Sequence, residues 1–235
     1  MNAKSRVVLS VSLFFNGLFL GMVLMGFKSP NVLTSFNADV DTPQVAKSAF
    51  VHEIGSVIGA VEIGERVYVA PTASVRGDEG QPIHIGNESN VQDSVVVHGL
   101  ETHEGKEVIA KNQVEVGGKK YSVYIGDRVS MAHQSQVHGP AKVGDDAFIG
   151  MQALVFKAEI GGGTVVEPGA KVIGVKVGEK KIVPAGAILT KQADADALAA
   201  ITDTYPFKDL NKAVVHVNTQ FADGYNGKKP AAHGH

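Results

Sequence analysis

Three of the nine histidines are placed to do chemistry: His98, and the pair His133 and His138 within "MAHQSQVHG" (131–139), where each is flanked by small or amide side chains. The 235 residues include no cysteine, which excludes thiolate metal sites and disulfides and leaves His, Asp and Glu as the strong ligands. Three imidazoles around one ion with an open position form the ligand set of a hydrolytic or hydrating metal centre, with zinc as the default ion. The five-residue step from His133 to His138 fits neither the i, i+4 step of a helix face nor the even step of a strand face. The backbone that carries them must have another period.

That period is six. Apolar residues recur as Val57, Ile63, Val69, Val75, then Ile85, Val91, Val97, then Ile125, Met131, Val137, Val143, Ile149, Val155. After a slip of one residue they continue as Ile160, Val166, Val172 and Val177, Val183, Leu189. A helix repeats every 3.6 residues and a half-buried strand every two, so neither produces this pattern. It predicts a parallel β-helix over 48–190, each hexapeptide forming one side of a coil and its apolar residue filling the interior. The 27 glycines and few aromatics agree with many tight turns and short strands. Two stretches break the rhythm: a short loop, "GDEGQP" (77–82), and a long excursion over 99–122 that must leave the coil. Beyond 190 the sixes stop, and helices are expected over 191–201 and 207–225. On the second, Leu210, Val214, Val217 and Phe221 make one apolar stripe, expected to pack back along the solenoid.

Phase within the repeat tells where the histidines point. His98 is one past Val97 and His138 one past Val137, so both project from the same side of the coil if it resumes in register after the excursion. His133 is two past Met131 and belongs to the preceding side, turned by about a third of a revolution. Within one chain it points away from the other two. A three-histidine site therefore requires a second copy of the chain, which a cyclic oligomer provides at every interface. On spacing alone, solvent-facing or hydrogen-bonded histidines of a solenoid remain the alternative.

The formal net charge of −2 gives no basic field for nucleic acid. Lys4 and Arg6 precede an apolar run, Val7–Phe27, whose 21 residues exceed the ~7–15 of a typical signal core and approach the ~20 of a membrane span. Residues 1–27 are thus expected to be a signal peptide or a membrane anchor, placing the rest outside the cytoplasm, in a periplasmic or extracellular space. Any membrane contact would run through that segment alone. Residues 28–47 look like a linker, and 228–235 a disordered tail.

"RGDEGQPIHIGNESNVQDSVVVHGLE" (76–101), followed by "YIGDRVSMAHQSQVHGPAKVGDDAFIGMQALVF" (124–156), strongly resembles the gamma-class carbonic anhydrases of the hexapeptide-repeat superfamily. The similarity runs from about residue 48 to 225. It implies a left-handed β-helix with a C-terminal α-helix along it, a homotrimer, and reversible hydration of carbon dioxide to bicarbonate by a metal-bound hydroxide. A metal lowers the pKa of its water from about 15.7 to about 7, which makes that hydroxide available at neutral pH. Carried over by position, the resemblance makes His98, His133 and His138 the metal ligands, His133 coming from the neighbouring subunit. Gln92 corresponds to the side chain that orients the hydroxide, and Glu79 to the carboxylate beside the substrate. Arg76 and Asp93 correspond to an inter-subunit ion pair that also places bicarbonate. Asp78, Asn90 and Asn218 correspond to pocket or supporting residues, and Glu101 to the proton shuttle.

The excursion departs from the family. It reads "ETHEGKEV" where a more acidic loop is expected, with His103 and Glu104 replacing part of that acidity. An imidazole titrates near neutral pH, so His103 could share the relay. His216 stands where an aromatic residue is expected, and Tyr225 is placed near the pocket. Zinc is the expected ion, with iron(II) or cobalt also accepted by three imidazoles. Two other classes share the six-residue repeat: a metal-free hexapeptide acyltransferase using one His as general base, and a non-catalytic trimeric solenoid used for assembly.

Overall fold

The computed structural model describes residues 27–228. The export or anchor segment up to residue 26 and the tail from 229 lie outside the described residues. The hexapeptides fold as predicted into a left-handed β-helix whose three sides are parallel sheets of eight, seven and seven short strands. The first side carries Ser56–Gly59, Ser74–Gly77, Val96–His98, Gln136–His138 and Leu154–Phe156. The second includes Ile83–Ile85 and Val123–Ile125, and the third Tyr68–Val69, Asn90–Val91 and Ser130–Met131. Parallel strands need a long crossover connection. Here the crossover is the rest of the coil.

Apolar residues point inward from the coil strands, one in strands such as Val96–His98 and two in strands such as Ile83–Ile85, and stack on their counterparts in the next coil. On the first side Val57 lies opposite Val75, Val75 opposite Val97, Val97 opposite Val137 and Val137 opposite Val155, all fully buried. β-branched side chains suit this pleated, crowded surface. The coil is 18 residues where nothing intervenes, 22 across the 77–82 loop, 40 across the excursion and 17 after the one-residue slip. Register survives each change. Corners are made by residues in the left-handed region, including Thr72 (φ 59), Ser94 (φ 59), Gln134 (φ 61) and Gln152 (φ 58) at one edge. Their side chains bond along the stack, as between Thr72 and Ser94 Oγ atoms at 2.8 Å and from Gln152 Nε2 to Gln134 Oε1 at 2.9 Å. Ladder bonds of this kind offset the strain of positive φ.

The excursion leaves the coil as two hairpins, His103–Glu104 with Glu107–Val108 and Val114–Val116 with Lys119–Tyr121.

Three expectations need correction. Residues 28–47 are not a plain linker: Phe27–Ser29 and Gln44–Val45 add parallel strands to the coil, and the loop between them is closed by buried Asn31. Two short strands without the six-residue rhythm gave no periodic signal. The segment 191–201 forms helix only over Gln192–Asp196. After a turn at Ala197 the chain stays extended because the open end of the last coil needs partners, which Ala199 O and the Ile201 N–H supply to Ile182 and Lys180. The C-terminal helix, Leu210–Tyr225, does lie on the third side, but the stripe proposed to pack does so only in part. Leu210 and Val214 pack with Ala132, Phe148 and Val165, whereas Val217 and Phe221 are 47% and 46% exposed. Asn211, Val215, Asn218, Thr219 and Ala222 are buried instead. Small and amide side chains let the helix approach a flat sheet closely, and Asn211 Nδ2 caps the carbonyls of Arg128 and Asp146 at 2.8 Å.

An Ile125→Ala or Ile149→Ala substitution, emptying one interior layer, should destabilise the coil by about 2–5 kcal/mol in urea unfolding, whereas the outward, exposed Gln136→Ala should cost less than about 0.5 kcal/mol.

Candidate metal centre

Strand register brings the first two histidines together. His98 and His138 are direct partners on the first side, with Arg76 opposite His98 and Phe156 opposite His138. One place past the interior valines, all four point outward in one row. His98 Nδ1 and His138 Nε2 converge to 3.4 Å. Two nitrogens each ~2.0–2.1 Å from a tetrahedral zinc ion lie about 3.4 Å apart, so this pair fits such an ion. The His138 Nδ1 lies 3.3 Å from the Gly139 carbonyl, a contact that holds the proton there and leaves Nε2 with its lone pair. Phe156 closes the far side of His138 edge to face, with ring centroids 5.4 Å apart.

Carboxylates from the 77–82 loop flank the pair. Asp78 Oδ1 is 3.1 Å and Glu79 Oε1 3.5 Å from His98 Nε2, and Arg76 Nε is 3.3 Å from Asp78 Oδ2. Burial and then the Arg76 charge lower the His98 pKa, against the opposing pull of Asp78, which favours the neutral imidazole a metal needs. Burial, then Asp78 and Glu101, raise the Glu79 pKa, with Arg76 acting against them. The Glu101 charge is therefore felt at Glu79. Its backbone carbonyl is fixed by Asn112 Nδ2 at 2.7 Å.

A second cluster sits on the next side. His133 follows Ser130–Met131, and the coil turns at Gln134 before reaching His138. Its side chain is 55% exposed against 14% for His98. His133 Nδ1 lies 3.0 Å from Asp93 Oδ2, an arrangement that leaves Nε2 free to meet something outside the chain. Gln92 lies beside it: its Nε2 donates to Asn90 Oδ1 at 2.9 Å, and Asn90 Nδ2 donates to Ser130 Oγ at 2.9 Å. Asn90 is wholly buried, so it orients Gln92 and does not itself reach a pocket. Tyr68, Gln92, Asp93, His133, Asn218 and Phe221 share a groove of about 370 Å³ under one edge of the C-terminal helix.

The residues singled out from the sequence thus fall into two sets. Arg76, Asp78, Glu79, His98, Glu101 and His138 gather on the first side; Asn90, Gln92, Asp93, His133 and Asn218 gather on the third and its edge. Among the described residues of one chain, no three His, Cys, Asp or Glu side chains form a metal-binding group. Within the chain Arg76 pairs with Asp78 and Asp93 with His133, so neither uses the other as its partner. Tyr225 does not line the groove but stacks on Phe50 and Tyr68 behind it. His103 lies against Thr102, and His216 is exposed and bonded to Gln220.

Three parallel sheets of short strands wound in such coils define a class, the hexapeptide-repeat left-handed β-helices. An acetyltransferase-type protein of Bacillus cereus superposes with a TM-score of 0.59 over 79% of this chain and 92% of its own, at 22% identity. One from Desulfovibrio desulfuricans does so at 0.51 over 82% and 40%, at 18% identity. At such identities they share the fold alone. No family model matches the chain. By sequence it is 52% identical over 196 residues to the carbonic anhydrase of Methanosarcina thermophila, covering 83% of this chain and 79% of that one. It is 33% identical over 156 residues to the mitochondrial gamma carbonic anhydrase 2 of Arabidopsis thaliana, covering 66% of this chain and 49% of that one. It is 42% identical over 193 residues to the carboxysome assembly protein CcmM of a Nostoc species, covering 82% of this chain but only 33% of the relative. The chain belongs to the gamma-class carbonic anhydrases, enzymes of reversible carbon dioxide hydration, and that membership implies a metal cofactor.

Sequence reading missed Tyr68, which precedes an interior valine and carries no motif, and Thr102, an ordinary residue of a loop. Burial, then Tyr225 and Asp93, push the Tyr68 phenol up to about 12. The folded state favours its neutral form, so this contribution to stability is complete below the ordinary tyrosine value of about 10 and is lost as pH rises through about 12. Thermal midpoints followed from pH 9 to 12 should fall less steeply in Tyr68→Phe than in the wild type.

Proposed function

We propose that this carbonic anhydrase works as a homotrimer, with zinc held between His98 and His138 of one subunit and His133 of the next. The observation supporting this reading is the two-sided division of the site: a converged imidazole pair on one side, and an exposed third imidazole on the adjacent side. Each set lacks what the other carries. Cyclic symmetry would join them three times over. The exposed Val217 and Phe221 beside the His133 groove supply apolar surface for such a contact.

When bound, the ion supplies a water acidic enough to yield a nucleophile near neutral pH. The chain's own residues do the rest. Gln92, with its amide nitrogen committed to Asn90, offers Oε1 as an acceptor that orients the attacking oxygen. Glu79 stands against His98 to take a proton as the nucleophile forms, and Glu101 passes it outward to buffer. Arg76, half exposed above Asp78, offers a guanidinium to bicarbonate as it forms. Asn218, which donates to Val214 O at 2.9 Å and keeps Oδ1 free, lines the neighbouring wall. Lys4 and Arg6 ahead of the apolar run support export to a periplasmic or extracellular space, with membrane contact only through that segment if it is retained.

Zinc is the default among ions that accept three imidazoles, and iron(II) and cobalt(II) would occupy the same ligands. Protein purified without oxygen should contain one ion per subunit and lose carbon dioxide hydration on treatment with a chelator, regaining it with added zinc. A metal-free, fully active protein would exclude the reading. Subunit mixing tests the shared site directly. His98→Ala and His133→Ala should each be nearly inactive, yet trimers reassembled from equal amounts should recover about a quarter of wild-type activity, because every mixed trimer regains one intact interface of three. Failure to recover any activity from mixed trimers would place all three ligands in one subunit or none.

A further inference from the structure

We infer that Thr102 and Asn37 are positioning residues that fix the consecutive carboxylate-bearing residues Asp78 and Glu79 against the His98 imidazole. Thr102 is fully buried, and every polar group it has is directed at the 77–82 loop or the excursion that carries it. Its backbone N–H donates to the Glu79 carbonyl at 3.0 Å, and its hydroxyl donates to the same oxygen at 2.9 Å. The hydroxyl also accepts from the Gln81 N–H at 2.7 Å. One side chain thus holds the backbone of both Glu79 and Gln81. Gly80, between the two bracketed residues, has φ +104, and a Cβ there would collide with Thr102 Oγ1. With its one proton committed to Glu79 O, the Thr102 hydroxyl can only accept from His103, whose Nδ1 is 3.1 Å away.

Asn37 holds the preceding residue. It is buried in the loop between the first two strands, and its Nδ2 donates to the Asp78 carbonyl at 3.3 Å while its Oδ1 accepts from the Asp39 N–H at 3.3 Å. The same loop reaches the excursion, where the Gly105 N–H donates to the Ser35 carbonyl at 2.9 Å. Loop 31–41 therefore clasps two segments at once, the one bearing Asp78 and Glu79 and the one bearing Glu101. Such a clasp has a physical purpose. Asp78, Glu79 and Glu101 repel one another, and an unrestrained six-residue loop would swing its carboxylates apart into solvent. Pinning two successive carbonyls leaves the side chains only rotamer freedom.

The inference rests on the reading of Glu79 as a participant in the reaction, and the experiment separates the two. Thr102→Val keeps the shape and removes the hydroxyl; Thr102→Ser keeps the hydroxyl. Asn37→Leu keeps the approximate size and removes the amide, with its donor to Asp78 and its acceptor for the Asp39 N–H. Thr102→Val should lower kcat/KM for carbon dioxide about tenfold, because sub-ångström misplacement of a reacting group suffices for that. The loss should persist at every buffer concentration, with metal content and oligomeric state unchanged. Hydrogen exchange at the Gln81 amide should accelerate in Thr102→Val and remain slow in Thr102→Ser, whose kcat/KM should stay near wild type. Asn37→Leu should fall about threefold, in line with loss of the hydrogen bond that holds the Asp78 carbonyl. Wild-type kcat/KM in Thr102→Val alongside an impaired Glu79→Gln would overturn the inference alone, as would equal impairment of the Val and Ser variants. Wild-type kcat/KM in Glu79→Gln would remove the role of Glu79 and the inference with it.

Discussion

Stacking of one interior β-branched residue on the next, coil after coil and in register, is the constraint on which the rest of the molecule depends. Val75, Val97, Val137 and Val155 form one such column although 40 residues separate two of its neighbours. Because the interior tolerates no slip, each outward residue is fixed relative to the outward residue above it. His98 over His138, with Arg76 above and Phe156 below, is a direct consequence. A slip of one residue would turn the histidines inward and expose the valines.

The same rigidity explains why chemistry gathers where the coil is interrupted. The two insertions on the first side enter at Gly77 and Gly99, directly beside the histidine row, and they carry the carboxylates. The coil supplies fixed imidazoles, while loops held by buried Thr102, Asn37 and Asn112 supply groups that can be tuned without disturbing the core. Corners matter equally. The left-handed turn at Gln134 separates His133 from His138 by one edge, which places the two histidines of a short local motif on two different surfaces.

The C-terminal helix illustrates how an apolar stripe misleads when the partner surface is flat. Hydrophobic periodicity pointed to Val217 and Phe221 as the packed face, yet the helix rests on Val215, Asn218, Thr219 and Ala222. A sheet of short strands presents no groove for large side chains, so small residues sit against it and the larger ones line its edge. There they border the groove that holds Gln92, His133 and Asn218.

The sequence by itself determined the coil, its interruptions, the phase of the three histidines and the family, because a six-residue repeat and a run such as "MAHQSQVHG" are local patterns. It did not reveal that 28–47 joins the sheets, that 198–201 stays extended, or which of the pocket and supporting places Asn90 takes. Those outcomes were decided by tertiary structure: edge strands and open coil ends take whatever backbone can satisfy their hydrogen bonds, and that demand leaves no periodic trace. Thr102 and Tyr68 were invisible for the same reason, since their roles come from neighbours far away in the chain, brought close only when the coil closes.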